Sequence, residues 1–350
     1  MFKHFGGSLL FTLVCLGLGG WYGWALTGTL DGVLGILWIC AVLAVLEVSL
    51  SFDNAAVNAS VLKDMDPVWQ RRFLTWGIAI AVFGMRIVFP LVIVMVAASL
   101  GPVEALNLAL NEPRQYQAIV ESAHVGLMGF GGAFLGMVGL KYFFDSDKEV
   151  NWIEAIERPL SKVADIEALA IGVVLAGTWG VASVLPVEES HTFLVAAIAG
   201  LLTYLAVEIV NHLLEPPTPS AGDVAKAGFG AFLYLEVLDA SFSFDGVIGA
   251  FALTNNLIVI AIGLGIGAMF VRSMTIFLVN KGTMSEYRYL EHGAFYAIIA
   301  LAVIMYLNTF MHISEAITGL IGAVLIGLAF WSSVRWNRAH AGENPEDALA

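Results

Sequence analysis

The octapeptide Glu47-Val48-Ser49-Leu50-Ser51-Phe52-Asp53-Asn54 recurs, little changed, as Asp239-Ala240-Ser241-Phe242-Ser243-Phe244-Asp245-Gly246. Carboxylates, hydroxyls and a side-chain amide are hard oxygen ligands, suited to Mn²⁺, Mg²⁺ or Ca²⁺ and not to the soft metals that favour thiolates. The candidate metal ligands are therefore Glu47, Ser49, Ser51, Asp53 and Asn54 in the first copy and Asp239, Ser241, Ser243 and Asp245 in the second. Each copy lies in an apolar stretch long enough to cross a bilayer, where an ionisable group is costly and marks a functional site by default. A plainer account has these groups satisfying hydrogen bonds between packed helices. It competes on equal terms for the four serines, while the larger penalty for a buried carboxylate weighs against it for Asp53 and Asp245.

A single straight helix cannot gather these ligands. At 100° per residue Glu47, Ser51 and Asn54 share one face, and Ser49 and Asp53 fall on nearly the opposite one. The two acids of a copy are six residues apart, a rise of about 9 Å at 1.5 Å per residue. The missing partners must come from the other copy. Antiparallel motif helices would bring Glu47 towards Asp245 and Asp53 towards Asp239, giving two acidic clusters, or one central site if the helices are broken. Asn54 and Gly246 at the motif ends favour such breaks, because Asn and Gly tolerate non-helical backbone. Glu236 adds an acid one turn before Asp239 in the second copy only. Arg86 and Arg272 lie mid-span and suit either structural ion pairing or neutralisation of the acids while an ion is absent. His124, three residues after Glu121, reads as a packed interfacial histidine or as a proton relay.

The elements that must position these groups are membrane helices. The chain has 350 residues, 59% apolar and only 13% charged, with a mean hydropathy of +0.84; soluble domains carry about 25% charged residues. Windows of about 20 apolar residues predict ten spans, near 9–27, 30–60, 71–99, 119–143, 167–185, 191–214, 226–254, 257–280, 289–310 and 314–333. The expected fold is an all-α polytopic membrane helix bundle. The first span lacks a small-x-small cleavage site and is kept as a helix. Cys15 and Cys40 stand alone in apolar spans and support neither a disulfide framework nor a thiolate metal site. The net charge of −13 and the lack of a long basic run argue against nucleic-acid binding.

Short loops rich in Lys and Arg stay cytoplasmic. With the N-terminus inside, thirteen of the sixteen basic residues fall on the cytoplasmic side; Arg114 lies outside, and Arg86 and Arg272 lie within spans. Both termini are then cytoplasmic, and the second and seventh spans, which carry the motif copies, run in opposite directions. The match continues into the following spans, where Gly77 precedes Arg86 by nine positions and Gly263 precedes Arg272 by nine. This predicts an inverted-topology repeat, an architecture common in secondary transporters, with core repeats near 30–143 and 226–310 inside halves 1–214 and 215–334. The connection near 144–166 is charged; Asp145-Ser146-Asp147-Lys148 offers turn chemistry before a short amphipathic helix, and the segment as a whole reads as a cytoplasmic linker without a fold of its own. Glu215-Pro216-Pro217-Thr218-Pro219-Ser220 reads as a stiff joint, and 335–350 as a disordered tail.

The paired motifs resemble those of the TerC-like integral membrane proteins, within the LysE/TerC-type transporter superfamily. Over about 45–310 the chain is similar to a bacterial branch defined only as a domain of unknown function. The matches include Ala123-His124, Gly129-Phe130-Gly131-Gly132-Ala133-Phe134-Leu135 and Tyr287-Arg288-Tyr289-Leu290-Glu291-His292-Gly293-Ala294. The resemblance implies a multi-pass protein of the bacterial cytoplasmic membrane, similar to manganese exporters and to members linked with tellurium resistance or with metal loading of secreted enzymes. It implies that Glu47, Asp53, Asp239 and Asp245, with Asn54 beside them, bind the ion.

The leading expectation is thus a non-enzymatic divalent-cation transporter exporting Mn²⁺, with no tightly bound cofactor. Its partners would be the metal ion, the lipid bilayer and either a second copy of the chain or a secreted metalloprotein; nucleic acid is not expected. An intramembrane aspartyl-type hydrolase is the competing class, since two Phe-Asp pairs could supply acids that share a proton. Against it, no Gly-x-Gly-Asp surrounds the second acid. A metal-delivery or assembly subunit is a third reading, weakened by short outer loops.

Overall fold

In the computed structural model, residues 2–145, 148, 150–161, 168–214 and 224–340 are described. α1 (Phe2–Thr27) turns at Gly28 into α2 (Leu30–Leu50), and α3 (Phe52–Leu62) continues α2 beyond a kink at Ser51. α4 (Pro67–Ala79) starts at Asp66, whose carboxylate accepts from the Val68 and Trp69 N–H groups with Pro67 at the first helical position, an arrangement that satisfies exposed donors at a helix start. It passes into a nine-residue π-helix, Ile80–Val88, and then α5 (Phe89–Ala97). α6 (Pro102–Asn111) and α7 (Pro113–Ser122) fill the next connection, and α8 (His124–Phe143) crosses back. α9 (Glu154–Ser161), α10 (Ala168–Ala182) and α11 (Val187–Leu214) complete the first half. The second half comprises α12 (Val224–Phe251), α13 (Leu257–Lys281), α14 (Thr283–Glu286), α15 (Leu290–Leu307) and α16 (Glu315–Ala339).

Among the described residues, eight helical stretches are long and apolar enough to cross a bilayer, and α10 is a shorter apolar helix. α12, with 28 residues, carries the second motif between α3, α8 and the π-helix. Tryptophans such as Trp21, Trp38, Trp76, Trp179 and Trp331 and many leucines and valines are exposed on the outer faces, as a lipid-facing skin requires. The chain is a multi-pass all-α membrane protein. The ten expected spans are all present as helices, but three are composite: that expected at 119–143 takes in the end of α7 and is broken at Ala123 before α8. The span expected at 30–60 is divided at Ser51, and that at 71–99 is α4, the π-helix and α5. Pro90 gives a reason for the form of this last span: it has no N–H to offer the Arg86 carbonyl, and its ring crowds that carbonyl. The wider π turn relieves the conflict, and the Phe89 N–H reaches back to the Gly84 carbonyl.

Contacts between named residues fix the relation of the halves. Along α2 and α13 the neighbours are Cys40 with Val259, Leu43 with Gly263 and Glu47 with Gly267, so these helices run parallel. Along α12 and α4 they are Gly228 with Trp69, Phe232 with Phe73 and Glu236 with Gly77, again parallel. The Gly77 and Gly263 contacts nearly correspond when the motif copies are superposed: Gly77 meets Glu236, the counterpart of Ala44, and Gly263 meets the adjacent Leu43. Asn58 meets Asp239 while Glu47 meets Gly246, so α2–α3 and α12 run antiparallel. α3 packs on α15 as α12 packs on α8. Exchanging the repeats leaves the packing pattern intact, which is the signature of an inverted pair.

One side of the bundle gathers the end of α3, the end of α8, the start of α15 and the end of α16. Lys63 pairs with Glu291 at 2.7 Å, and the Asn337 side chain donates to the Glu286 carbonyl at 3.1 Å. The connection expected to lack a fold of its own is anchored here instead. Glu157, 1% exposed, accepts from the N–H groups of Trp152 and Ile153 at 3.2 and 3.0 Å, from Tyr296 at 3.2 Å and from Lys148 at 2.5 Å. His292 Nε2 donates to the Val150 carbonyl at 2.8 Å. Burial alone would push the Glu157 carboxyl up, but the Ile153 N–H, the Lys148 ammonium and the His292 ring hold it below its ordinary 4.5. Burial likewise lowers the Lys148 ammonium. The tail expected from 335 is helical through Ala339. The proline-rich joint at 215–220, residues 162–167 of the linker and the chain beyond His340 lie outside the described residues.

Candidate functional site

The two motif helices meet the arginines of the following spans. Arg86, on the π-helix, forms an ion pair with Glu47; the residues are 3% and 2% exposed. Ser51 Oγ donates to the same carboxylate at 3.0 Å. In the second repeat Arg272 Nη1 lies 4.0 Å from Asp239 Oδ2, a looser pair. That guanidinium also donates to the Phe73 carbonyl at 3.0 Å and stacks 3.7 Å over the Phe73 ring. The nine-residue spacing from glycine to arginine therefore places one cation beside the first acid of each motif copy.

Both pairs line one small, partly open cavity of about 20 Å³, together with Asn54, Asn58, Ser243 and Thr275. That volume holds about one water-sized occupant. Asp239 and Gly246, which abuts the Glu47 carboxylate, are seven residues apart on α12, about 10 Å at 1.5 Å per residue. Glu47 and Asp239 thus meet α12 about two turns apart, and both line the cavity. Between them stand Asn54 and Asn58, one turn apart on α3. Asn58 Nδ2 donates to Asp239 Oδ1 at 2.8 Å. The carbonyl oxygens Asn54 Oδ1 and Asn58 Oδ1 are buried without a protein partner, as are Arg86 Nε and Nη1, Arg272 Nε and both carboxyl oxygens of Glu236. Buried polar atoms are almost always paired, so this concentration of unpaired ones marks the part of the bundle built for something other than packing.

The remaining expected residues are distributed differently. Asp53 is buried but does not line the cavity; its Oδ1 accepts from the Asn54 N–H at 2.9 Å, and its carboxyl lies against Gly322 of α16. On α3 Asp239 finds Asn58, which corrects the expected approach of Asp53 to Asp239. Ser49 is exposed and donates to the Val45 carbonyl. Ser241 donates to the Val237 carbonyl and lines a separate apolar cavity with Glu236. Ser243 donates to the Asp239 carbonyl at 2.6 Å from the cavity wall. The Asp245 side chain lies outside the described ones; its neighbour Gly246 stands against Glu47, as antiparallel motif helices require. His124 is half-buried at the start of α8, close to His312 and Glu121 and away from the cavity.

The expected breaks are only half realised. The first copy bends at Ser51, one residue before Phe-Asp-Asn, where Gly319 of α16 packs on the Ser49 carbonyl and Leu50. The second copy runs through an unbroken α12, its serines returning bonds to carbonyls of their own helix. Asn58 was not among the expected ligands, although its i, i+4 relation to Asn54 in an otherwise alanine-rich apolar segment was a readable signal. Among the described residues, no three His, Cys, Asp or Glu side chains converge as a metal-binding group. The acids of the cavity face arginines instead.

The family comparison matches residues 52–340 to the family described as "Protein of unknown function (DUF475)". That is most of the chain, α3 through α16, and the protein belongs to this family. Comparison with curated proteins finds no match. Comparison with solved structures finds none either.

Proposed function

We propose that this protein is a membrane carrier of a divalent cation, with Mn²⁺ export as the leading case, in which the arginines occupy the acid sites when the ion is absent. The observation that carries the reading is the pair of repeat-related acid–arginine contacts, Glu47–Arg86 and Asp239–Arg272, both lining one polar cavity. Buried carboxylates need a compensating cation. A tethered guanidinium serves while the site is empty, and a divalent ion takes its place when loaded. An inverted repeat supplies the motion, since rocking one repeat against the other opens the cavity to alternate sides. The resemblance to TerC-like proteins agrees with this reading. The side rich in lysine and arginine, which carries both termini, then faces the cytoplasm.

An aspartyl-type hydrolase fits less well. Its chemistry needs two carboxyls close enough to share a proton, whereas Glu47 and Asp239 each face an arginine and meet α12 about two turns apart. Reconstitution into liposomes tests the proposal directly, with Mn²⁺, Mg²⁺ and Ca²⁺ flux measured for the wild type, Glu47→Gln and Asp239→Asn. Wild-type Mn²⁺ flux that falls at least tenfold in both variants is expected. Flux equal to that of empty liposomes, or unchanged by either substitution, refutes it.

A further inference from the structure

Resting on that reading, we infer that residues 148–161 are a strap that ties the two repeats together on the side of the termini, and that parting it from α15 is a step in opening the cavity to that side. A connection that had only to join α8 to α10 would need no partner elsewhere. This one is held by both repeats. Lys148 Nζ stands 4.7 and 4.8 Å over the rings of Tyr142 and Phe143, at the end of α8 in the first repeat. Val150 and Glu157 meet α15 in the second. His292 Nε2 lies 2.8 Å from the Val150 carbonyl and 3.4 Å from the Glu157 carboxylate, and the Tyr296 hydroxyl donates to Glu157 at 3.2 Å. The Trp152 ring packs edge-on against Tyr296. Within the segment, Lys148 and the N–H groups of Trp152 and Ile153 satisfy the same carboxylate, so it docks as one folded piece and not as a slack tether.

The strap lies over a joint between the repeats. Beneath it the end of α8 and the start of α15 meet through Tyr142 and Phe295, whose rings stack in parallel at 3.9 Å, and Lys63 joins α3 of the first repeat to Glu291 of α15. Asn58 of the cavity precedes Lys63 by five residues on α3, about 7.5 Å at 1.5 Å per residue. The cavity thus lies only about one and a half turns from the level of this tie. Rocking one repeat against the other to open this side changes the relation of α8 to α15, so the contacts of Glu157 with Tyr296 and of Val150 with His292 must part. A buried carboxylate stripped of part of its hydrogen-bonded shell is costly, and the docked strap therefore biases the protein against opening here. The corresponding connection after α15 has only residues 308–314 before α16. The strap is one-sided.

The experiment reads access to the cavity and transport separately. In a background with the two buried cysteines, Cys15 and Cys40, replaced by Ala, Thr275→Cys places a thiol in the cavity lining. Its alkylation by a charged, membrane-impermeant maleimide is timed from each side of the membrane with the strap unaltered, with Glu157→Gln and with Tyr296→Phe. From the side of the termini, labelling is expected to be about fivefold or more faster in both variants, the change in population that loss of one hydrogen bond brings; from the other side it is expected to be unchanged. Tyr296→Phe removes a single hydroxyl and carries the prediction if Glu157→Gln does not fold. In a second arm, Trp152→Cys and Tyr296→Cys are bridged by a bifunctional methanethiosulfonate in proteoliposomes, and Mn²⁺ flux should stop on bridging and return on reduction. Labelling from the side of the termini that neither variant accelerates overturns the strap, as does flux that the bridge leaves intact. Absence of wild-type flux refutes the carrier reading, and the labelling arm then still decides whether the strap controls access.

Discussion

Replacing Arg86 by Met should be among the most damaging single changes in the bundle, and replacing Glu47 at the same time should undo most of the damage. Both side chains are buried, at 3% and 2% exposure, so water screens neither. Without the guanidinium, Glu47 keeps only the Ser51 hydroxyl. Removing one partner of a buried pair costs about 3–5 kcal/mol, because the other charge is left uncompensated, whereas replacing both is often nearly neutral. Glu47→Gln and Arg86→Met should therefore each destabilise by about 3 kcal/mol or more. The double variant should lie within about 1.5 kcal/mol of the wild type, a coupling of several kcal/mol and a change of more than about 100-fold in the unfolding equilibrium. For Asp239 and Arg272 the coupling should be smaller, about 1–2 kcal/mol. That pair is separated by 4.0 Å, Asp239 keeps Asn58, and Arg272 keeps the Phe73 carbonyl. Reversible unfolding in mixed detergent micelles measures all four corners of each cycle. Single-variant losses that simply add in the Glu47/Arg86 double variant, within about 0.5 kcal/mol, would refute the account of this contact as a compensating pair.

Three further outcomes follow from the same geometry. Gly267→Ala would set a Cβ 2.4 Å from the Glu47 Cβ and 2.8 Å from the Ala44 carbonyl oxygen; because backbone must move, a loss of about 1–3 kcal/mol is expected, against a small effect for Gly265→Ala, whose nearest contact is Val82 at 3.4 Å, both read by the same unfolding assay. The Glu157 carboxyl is depressed below 4.5, so its contribution is complete above that value and is lost as the pH falls through the folded-state pKa; limited proteolysis at 145–161 should accelerate on acidification below about pH 4.5, and Glu157→Gln should be cleaved readily at neutral pH with little further change. Pro90→Ala restores a donor for the Arg86 carbonyl and removes the ring that crowds it, so it should favour a regular α-helix, turn Arg86 away from Glu47 and lower Mn²⁺ flux; a rate equal to wild type would mean that the π-helix has no part in transport.

What the sequence made legible was set by energy differences too large for context to reverse. Carboxylates in apolar spans, a lopsided distribution of Lys and Arg, and a glycine–arginine spacing repeated at nine residues each survive any reasonable packing. From them came the all-α bundle, the opposed directions of the motif helices and the nearness of Glu47 to the Gly246 end of the second copy. The details decided by packing were not legible. The kink falls at Ser51, where Gly319 of α16 packs against the Ser49 carbonyl and Leu50, whereas α12 runs unbroken through its copy of the motif. A short helix was legible in this linker, but its docking was hidden for a related reason: Glu157 sits in a charged run that looks solvated, while Tyr296 and His292, more than 130 residues away, pair with it. Asn58 showed a usable i, i+4 signal with Asn54, but it lies beyond the repeated motif, and the repeat itself drew attention elsewhere.

The departures from symmetry bear on direction. Two identical inverted repeats would make the outward- and inward-opened forms equal in energy, and a carrier so built would have no structural bias. Here the repeats match in packing and differ in chemistry. Arg86 rides on a π-helix and Arg272 on a regular α-helix. Glu236 stands where the first repeat has Ala44, and Asn58 where the second has Ala250. The tighter ion pair and the kinked helix lie at the Glu47 end; the looser pair, the amides and the extra acid lie at the Asp239 end. Asn58 is closer along α3 than Glu47 is to the Lys63 side, where both termini emerge, so the Asp239 end is nearer that side. Of the two pairs the looser costs less to part, and an ion arriving from the Lys63 side meets the neutral amide oxygens and the weaker pair first. For the carrier proposed above, loading from the side of the termini is the step that this asymmetry favours, the loading direction of the proposed exporter.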